Sequence, residues 1–145
     1  MIDFFFLLPA KGKFLNGFNE QLRQQADNVW RQLDGLSPVL LILGLVLGVG
    51  LAVFYYTGFN EKPGRHYKRR YWLMWALLSF VLTMITTVAI EYVGVKTNLK
   101  SGYAELYWLC AINNAFYAFV GYFVTSIVWC NAFPTNAYKL FKIKL

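Results

Sequence analysis

The sequence predicts an all-α integral membrane protein, with three transmembrane helices preceded by an amphipathic interfacial helix. Three observations predict this. Apolar residues make up 58% of the chain and charged residues 14%, against roughly 45–50% and about 25% in soluble domains. Three stretches, 38–56, 71–90 and 106–129, contain no Asp, Glu, Lys, Arg or His, and each is close to the ~20 residues that a helix needs to cross a hydrocarbon core. A polar stretch before the first of them carries its apolar residues at helical spacing. The expected organisation is a 1–36 N-terminal segment, a 37–131 three-span bundle and a basic 132–145 tail.

The elements follow in order. Residues 1–9 (MIDFFFLLP) lack a basic start, and their apolar run is too short for a signal peptide or a span. They are expected to lie in the interface or to pack on a partner. Between Phe14 and Asp34, residues Leu15, Phe18, Leu22, Ala26, Val29, Trp30 and Leu33 share one stripe, while Gln21, Arg23, Gln24, Asp27, Asn28 and Arg31 fall elsewhere. This pattern predicts an amphipathic helix on the membrane surface or against a partner. A soluble coiled-coil arm is the rival, weakened by Gln25 and Gln32 at would-be seam positions.

Ser37-Pro38 reads as the start of the first span, because serine caps free amides and proline fits a first turn. The second span follows the basic turn 61–70 (EKPGRHYKRR), and the third follows the 93–103 loop. Pro134 is expected to end the third helix. Cys110 and Cys130 are about 30 Å apart along one helix and cannot bridge within it. They read as apolar fillers rather than redox groups.

Charge sets the orientation. The chain carries 14 Lys+Arg against 7 Asp+Glu, a net charge of +7. With three spans, the 61–70 loop and the C-terminal tail share a side, and together hold Lys62, Arg65, Lys68, Arg69, Arg70, Lys139, Lys142 and Lys144. The other side holds Arg23, Arg31, Lys96 and Lys100 near the spans, with Lys11 and Lys13 further out. Basic residues near span ends stay cytoplasmic, so the expectation is N-terminus out and C-terminus in, in a bacterial inner (plasma) membrane. Tyr55, Tyr56, Tyr71, Trp72 and Trp129 would mark the inner interface, and Trp30, Tyr92, Tyr103, Tyr107 and Trp108 the outer one. No groove-reading motif accompanies the positive charge, so nucleic acid is not an expected partner.

Several constellations are candidates for function. Gly44, Gly48 and Ala52 form a small-residue stripe that allows close helix approach, either between subunits or inside one bundle. Asn114, Ala118 and Gly121, with Thr125 beyond them, form a comparable stripe on the third span, with Asn113 beside it. On the second span Ser79, Thr83 and Thr86 make a polar face, with Thr87 adjacent. These hydroxyls and amides fit two readings: the lining of an oligomeric pore, or hydrogen-bond glue between packed helices. Glu91 and Glu105 sit at outer span ends, as solvated end residues or as an acidic ring in an oligomer. Lys62, Arg65, Lys68, Arg69 and Arg70 would contact anionic headgroups or an acidic partner.

No ionisable residue lies deep in a span, which argues against a pump or secondary transporter. His66, the only histidine, has no Cys, Asp or His at ligand spacing, so neither a metal nor a cofactor is expected. The usual nucleophile, zinc and phosphate-loop motifs are missing, which points away from an enzyme. The expected function is an accessory or anchoring subunit of a membrane complex, oligomerising through Gly44, Gly48, Ala52, Asn114, Ala118 and Gly121. The alternative is an oligomeric ion channel or pore-forming effector lined by Ser79, Thr83, Thr86, Asn114 and Thr125. Its expected partners are the bilayer with its anionic headgroups, and further copies or other membrane subunits.

Overall fold

A computed structural model describes residues 5–62, 69–97, 100–133 and 141. Every regular element among them is helical. A short α1 (Lys11–Leu15) is followed by α2 (Glu20–Phe54), a π-helical turn (Tyr55–Phe59), α3 (Arg69–Gly94), a 3₁₀ turn (Lys100–Tyr103) and α4 (Ala104–Ala132). α2 with its π turn, α3 and α4 are each long and apolar enough to cross a membrane. The spans expected at 71–90 and 106–129 lie inside α3 and α4, and α4 gains residues at both ends.

The helix that carries the first apolar stretch starts earlier than expected. α2 does not start at Ser37-Pro38 but runs unbroken from Glu20 through Pro38 to Phe54. An interior proline removes one backbone bond, here the N–H that would reach the Asp34 carbonyl. Ser37 Oγ donates to that carbonyl at 2.8 Å instead. The serine that resembles a cap therefore supplies the donor that the proline lacks. The amphipathic stretch 14–34 is also divided: Leu15 closes α1 and Phe18 lies in the connection, so the helical stripe proper begins at Ala26. From there α2 and its π turn bury Ala26, Val29, Trp30, Leu33, Ser37, Leu40, Gly44, Gly48, Ala52, Tyr55 and Tyr56, a single stripe at spacings of three and four.

The chain divides into two compact units, and the division passes through all three long helices. Unit 1 comprises Met1–Ile42 with Met84–Asn114, and unit 2 comprises Leu43–Thr83 with Ala115–Leu145. The core of unit 1 gathers Phe5, Ala26, Val29, Trp30, Leu33, Leu40, Val95, Tyr103, Leu106 and Tyr107. α1 is tied to α2 by an ion pair from Lys11 to Asp27 at 2.6 Å, and Arg31 holds the same carboxylate at 2.8 Å. Phe14 packs on Trp30 with ring centres 5.4 Å apart, and Phe18 packs on Tyr103 at 5.6 Å. The Gln32 side chain bonds both backbone groups of Lys96, accepting from its N–H at 2.8 Å and donating to its carbonyl at 3.3 Å. This contact fastens the α3–α4 connection to α2.

Within the N-terminal apolar segment, the described residues Phe5 and Leu7 make contacts inside their own chain. Phe5 is buried in the unit 1 core, and the Leu7 N–H donates to Asn113 Oδ1 at 3.4 Å. Asn113 lies nine residues into α4, about 14 Å along the helix axis at 1.5 Å per residue.

Unit 2 has a separate core of Ala52, Tyr55, Tyr56, Trp72, Ala76, Tyr122 and Cys130. The π turn, closed by the Asn60 N–H on the Tyr55 carbonyl at 2.8 Å, widens the helix so that the adjacent Tyr55 and Tyr56 are both buried. Trp72 Nε1 donates to Ser126 Oγ at 2.9 Å, and that hydroxyl donates to the Tyr122 carbonyl at 2.8 Å.

Aromatic residues assigned from sequence to the interfaces largely face inward. Trp30, Tyr55, Tyr56, Trp72, Tyr103 and Tyr107 are buried, whereas Tyr92 and Trp108 are half exposed. Their bulk fills the spaces between helices toward the helix ends. Many of the side chains left on the outside are aliphatic, Ile42 at 61% exposure, Leu77 at 60% and Val124 at 51% among them, and Phe54 and Phe116 join them.

Candidate functional site

The candidate site is the polar stripe that α3 turns into the protein. α3 buries Trp72, Ala76, Ser79, Thr83, Thr87 and Glu91, residues spaced by three and four that occupy one face of a helix. Ser79 and Thr83 belong to the stripe as expected from sequence. Its continuation is Thr87 and Glu91 rather than Thr86, which is only partly buried.

In unit 1 this stripe meets α4. Asn114 Nδ2 donates to Thr87 Oγ1 at 2.8 Å, and Asn113 and Asn114 are both fully buried. One turn further along, Glu91 lies beside Cys110 and within electrostatic reach of Tyr107. Glu91 is 0% exposed. Its position in the last turn of α3 suggested a solvated residue, but Val95, Tyr103, Leu106 and Tyr107 form buried packing at that end of the unit. Glu105, the other acid placed at an outer end, is exposed.

Glu91 is under-satisfied. Neither carboxyl oxygen accepts a hydrogen bond of ordinary geometry. The neighbouring donor is the Cys110 thiol, a weak one. The Tyr107 hydroxyl, Asn114 Oδ1 and Asn113 Nδ2 also lack partners. Leaving a buried polar group unpaired costs about 1–3 kcal/mol, and more for a charged one. An unpaired polar cluster of this kind in a native interior therefore calls for a physical explanation.

Unit 2 brings together the small residues singled out from sequence. Gly44, Gly48 and Ala52 are buried. Gly48 packs directly on the Ala118 backbone, and Gly121 faces Leu45 and Val49, the nearest side-chain atom 3.5 Å from where its Cβ would stand. Ala118 is buried. The stripes thus form a seam within one chain. Ser79 is buried with its hydroxyl unpartnered, whereas Thr125 is half-buried.

Of the basic cluster, Lys62, Arg69 and Arg70 are exposed. The Arg70 guanidinium lies over the Tyr71 ring, 4.9 Å from its centre. Arg65, His66, Lys68 and the tail lysines lie outside the described residues. Among the described residues, no group of three or more His, Cys, Asp or Glu could hold a metal.

Sequence reasoning missed Glu91, Tyr107 and Cys110 as members of one cluster. The available signal was the fourfold spacing Ser79, Thr83, Thr87, Glu91, which extends a polar helix face into the last turn of α3. No protein-family model matches the chain, and neither a curated protein nor a solved structure matches it significantly.

Proposed function

We propose that the protein is an accessory or anchoring subunit of a membrane assembly, acting through helix packing inside the bilayer. The observation that carries this reading is the division of faces on its helices. Small and polar residues such as Gly48, Ala118, Asn114 and Thr87 are buried within the chain, while Ile42, Val46, Leu77, Ile85 and Val128 are exposed. Side chains of this kind stand among lipid tails or the apolar helices of neighbouring subunits. The N-terminus is placed outside and the C-terminus inside, on the basis of Lys62, Arg69, Arg70 and the further bases near that side. Exposed Lys62, Arg69 and Arg70 supply attraction for anionic headgroups, worth about 1 kcal/mol per base.

Mild-detergent extraction followed by native mass spectrometry and size-exclusion with light scattering tests the reading. The expected result is a particle of defined stoichiometry, containing several copies or a second membrane protein. A monomer without a protein partner across several detergents and in lipid nanodiscs would contradict it.

An oligomeric pore is the second reading. It starts from Ser79 Oγ and Asn114 Oδ1, both without partners, and requires these side chains, buried inside one chain, to open onto a shared wet axis. Liposomes of purified protein would then conduct ions, with Asn114→Leu lowering the conductance. Absence of conductance over a range of voltage, pH and lipid composition removes this reading.

A further inference from the structure

We propose that Glu91, together with the neutral oxygens of Asn114 and Tyr107, forms a binding site for a monovalent alkali-metal cation within unit 1. The geometry supplies the ligand chemistry. Four buried oxygens in unit 1 lack a hydrogen bond of ordinary geometry: both of Glu91, beside which the Cys110 thiol is only a weak donor, Asn114 Oδ1 and the Tyr107 hydroxyl. Hard oxygen donors of this kind suit hard cations.

The residues are arranged by helix repeat. Thr87 and Glu91 are one turn apart on α3, and Tyr107, Cys110 and Asn114 follow one another on one face of α4. Asn114 uses Nδ2 to bond Thr87 Oγ1 at 2.8 Å, which fixes the amide and leaves Oδ1 uncommitted. The Ser37 hydroxyl of α2 is already committed to the Asp34 carbonyl.

Charge selects the cation class. Glu91 lies in the last turn of α3, which contains no basic residue. The negative end of a helix dipole disfavours a carboxylate and favours a positive ion. Isolating a carboxylate from water costs several kcal/mol unless a counter-charge accompanies it. Among the described residues, the titratable side chains beside Glu91 are Tyr107 and Cys110. Lys96, beyond the end of α3, is exposed, and its contact with Gln32 is made by its backbone. One carboxylate balances one positive charge, and the described residues hold no group of three acidic, His or Cys ligands for a multivalent metal. A proton would occupy a single oxygen, whereas a cation engages several lone pairs at once.

The test uses the full chain in mild detergent. Its unfolding midpoint is followed by circular dichroism as NaCl or KCl replaces N-methylglucamine chloride, at constant ionic strength and pH. Binding to the folded state raises the midpoint by mass action. The expected result is a saturable rise of several degrees for at least one of the two cations. It is lost in Glu91→Gln, reduced in Asn114→Leu and kept in Glu105→Gln. A wild-type midpoint indifferent to cation identity overturns the site, as does a rise that survives in Glu91→Gln. A midpoint that follows pH but not the cation shows protonation only and also overturns it. Radiolabelled sodium binding to the wild-type protein needs no variant: saturable binding competed by potassium supports the site, and its absence, with no potassium-specific rise in the midpoint, overturns it.

Discussion

Gly48 stands against the backbone of Ala118 so closely that a Cβ at position 48 would overlap the Ala118 carbonyl oxygen, with the carbonyl carbon at 2.9 Å and Cα at 3.0 Å. The obstacle is backbone rather than a flexible side-chain end, so relief requires α2 and α4 to move apart within unit 2. In lipid the hydrophobic effect adds little between helices, and dispersion at short range must hold them together. A single hydrogen at position 48 is what permits that range. The same contact accounts for a small-residue stripe that sequence alone left open between subunits and one chain.

Gly48→Ala is expected to destabilise the folded protein by about 1–3 kcal/mol, the usual cost of overpacking a close contact. Gly50, two residues away on the exposed face, has nothing within 4 Å of a Cβ position. Gly50→Ala is expected to be neutral, or stabilising by up to about 1 kcal/mol through helix propensity. Equilibrium unfolding of both variants in mixed micelles checks the contrast. Equal effects would show that the close approach does not exist.

Ser37 and Pro38 make a second pair whose effects are not additive. Ser37→Ala strips the donor from the Asp34 carbonyl and is expected to cost about 1 kcal/mol, typical of one hydrogen bond. Pro38→Ala restores the backbone N–H that proline lacks. In that background Ser37→Ala is expected to cost little, because the Asp34 carbonyl keeps a partner. A double-mutant cycle measures the coupling. Identical costs of Ser37→Ala in both backgrounds would remove the replacement role.

Asn114→Leu breaks the bond to Thr87 within unit 1. Interhelical hydrogen bonds in membranes contribute about 0.6–2 kcal/mol, and a loss in that range is expected. Thr87→Val should cost a similar amount, and the double variant little more than either alone. Strict additivity of the two substitutions would show that the amide and hydroxyl do not bond each other.

Ser126→Ala leaves the buried Trp72 indole N–H without its acceptor. The expected cost is about 1–3 kcal/mol for an unsatisfied buried donor. Ser126→Thr, which keeps the hydroxyl, should cost less. Trp72 emission, isolated by replacing the other tryptophans with phenylalanine, is expected to change in Ser126→Ala and to stay near wild type in Ser126→Thr. No difference between the two would indicate that the hydroxyl is not the partner.

The parts of this fold legible in sequence are those set by long-range composition. The charge-free stretches 71–90 and 106–129 fixed α3 and α4 because a helix without a charged side chain over that length has few alternative environments. The stripe from Ala26 to Leu33 was legible because its period is helical. The start of the first long helix was not. Ser37-Pro38 satisfies a local capping rule, and only the bond from Ser37 to Asp34 shows the helix continuing through it.

Glu91 was misplaced for a related reason. Distance from a span end stood in for exposure, whereas burial depends on the residues that pack at that end of unit 1, Val95 and Tyr103 among them. The inward turn of several aromatic residues was missed for the same reason. Trp30 and Trp72 carry the composition expected of a membrane interface, yet both turn inward, which a periodicity argument extended across each helix would have indicated.

Aliphatic side chains on α2, α3 and α4 are expected to face hydrocarbon while the polar stripe stays inside the chain. Single cysteines at Ile42, Leu77 and Val124, in a background with Cys110 and Cys130 replaced by alanine, test it in intact membranes. All three are expected to resist a membrane-impermeant maleimide applied from either side, and a nitroxide at each should show oxygen rather than water accessibility. Rapid labelling of the three positions by the water-soluble reagent, in a protein that remains folded, would contradict the account.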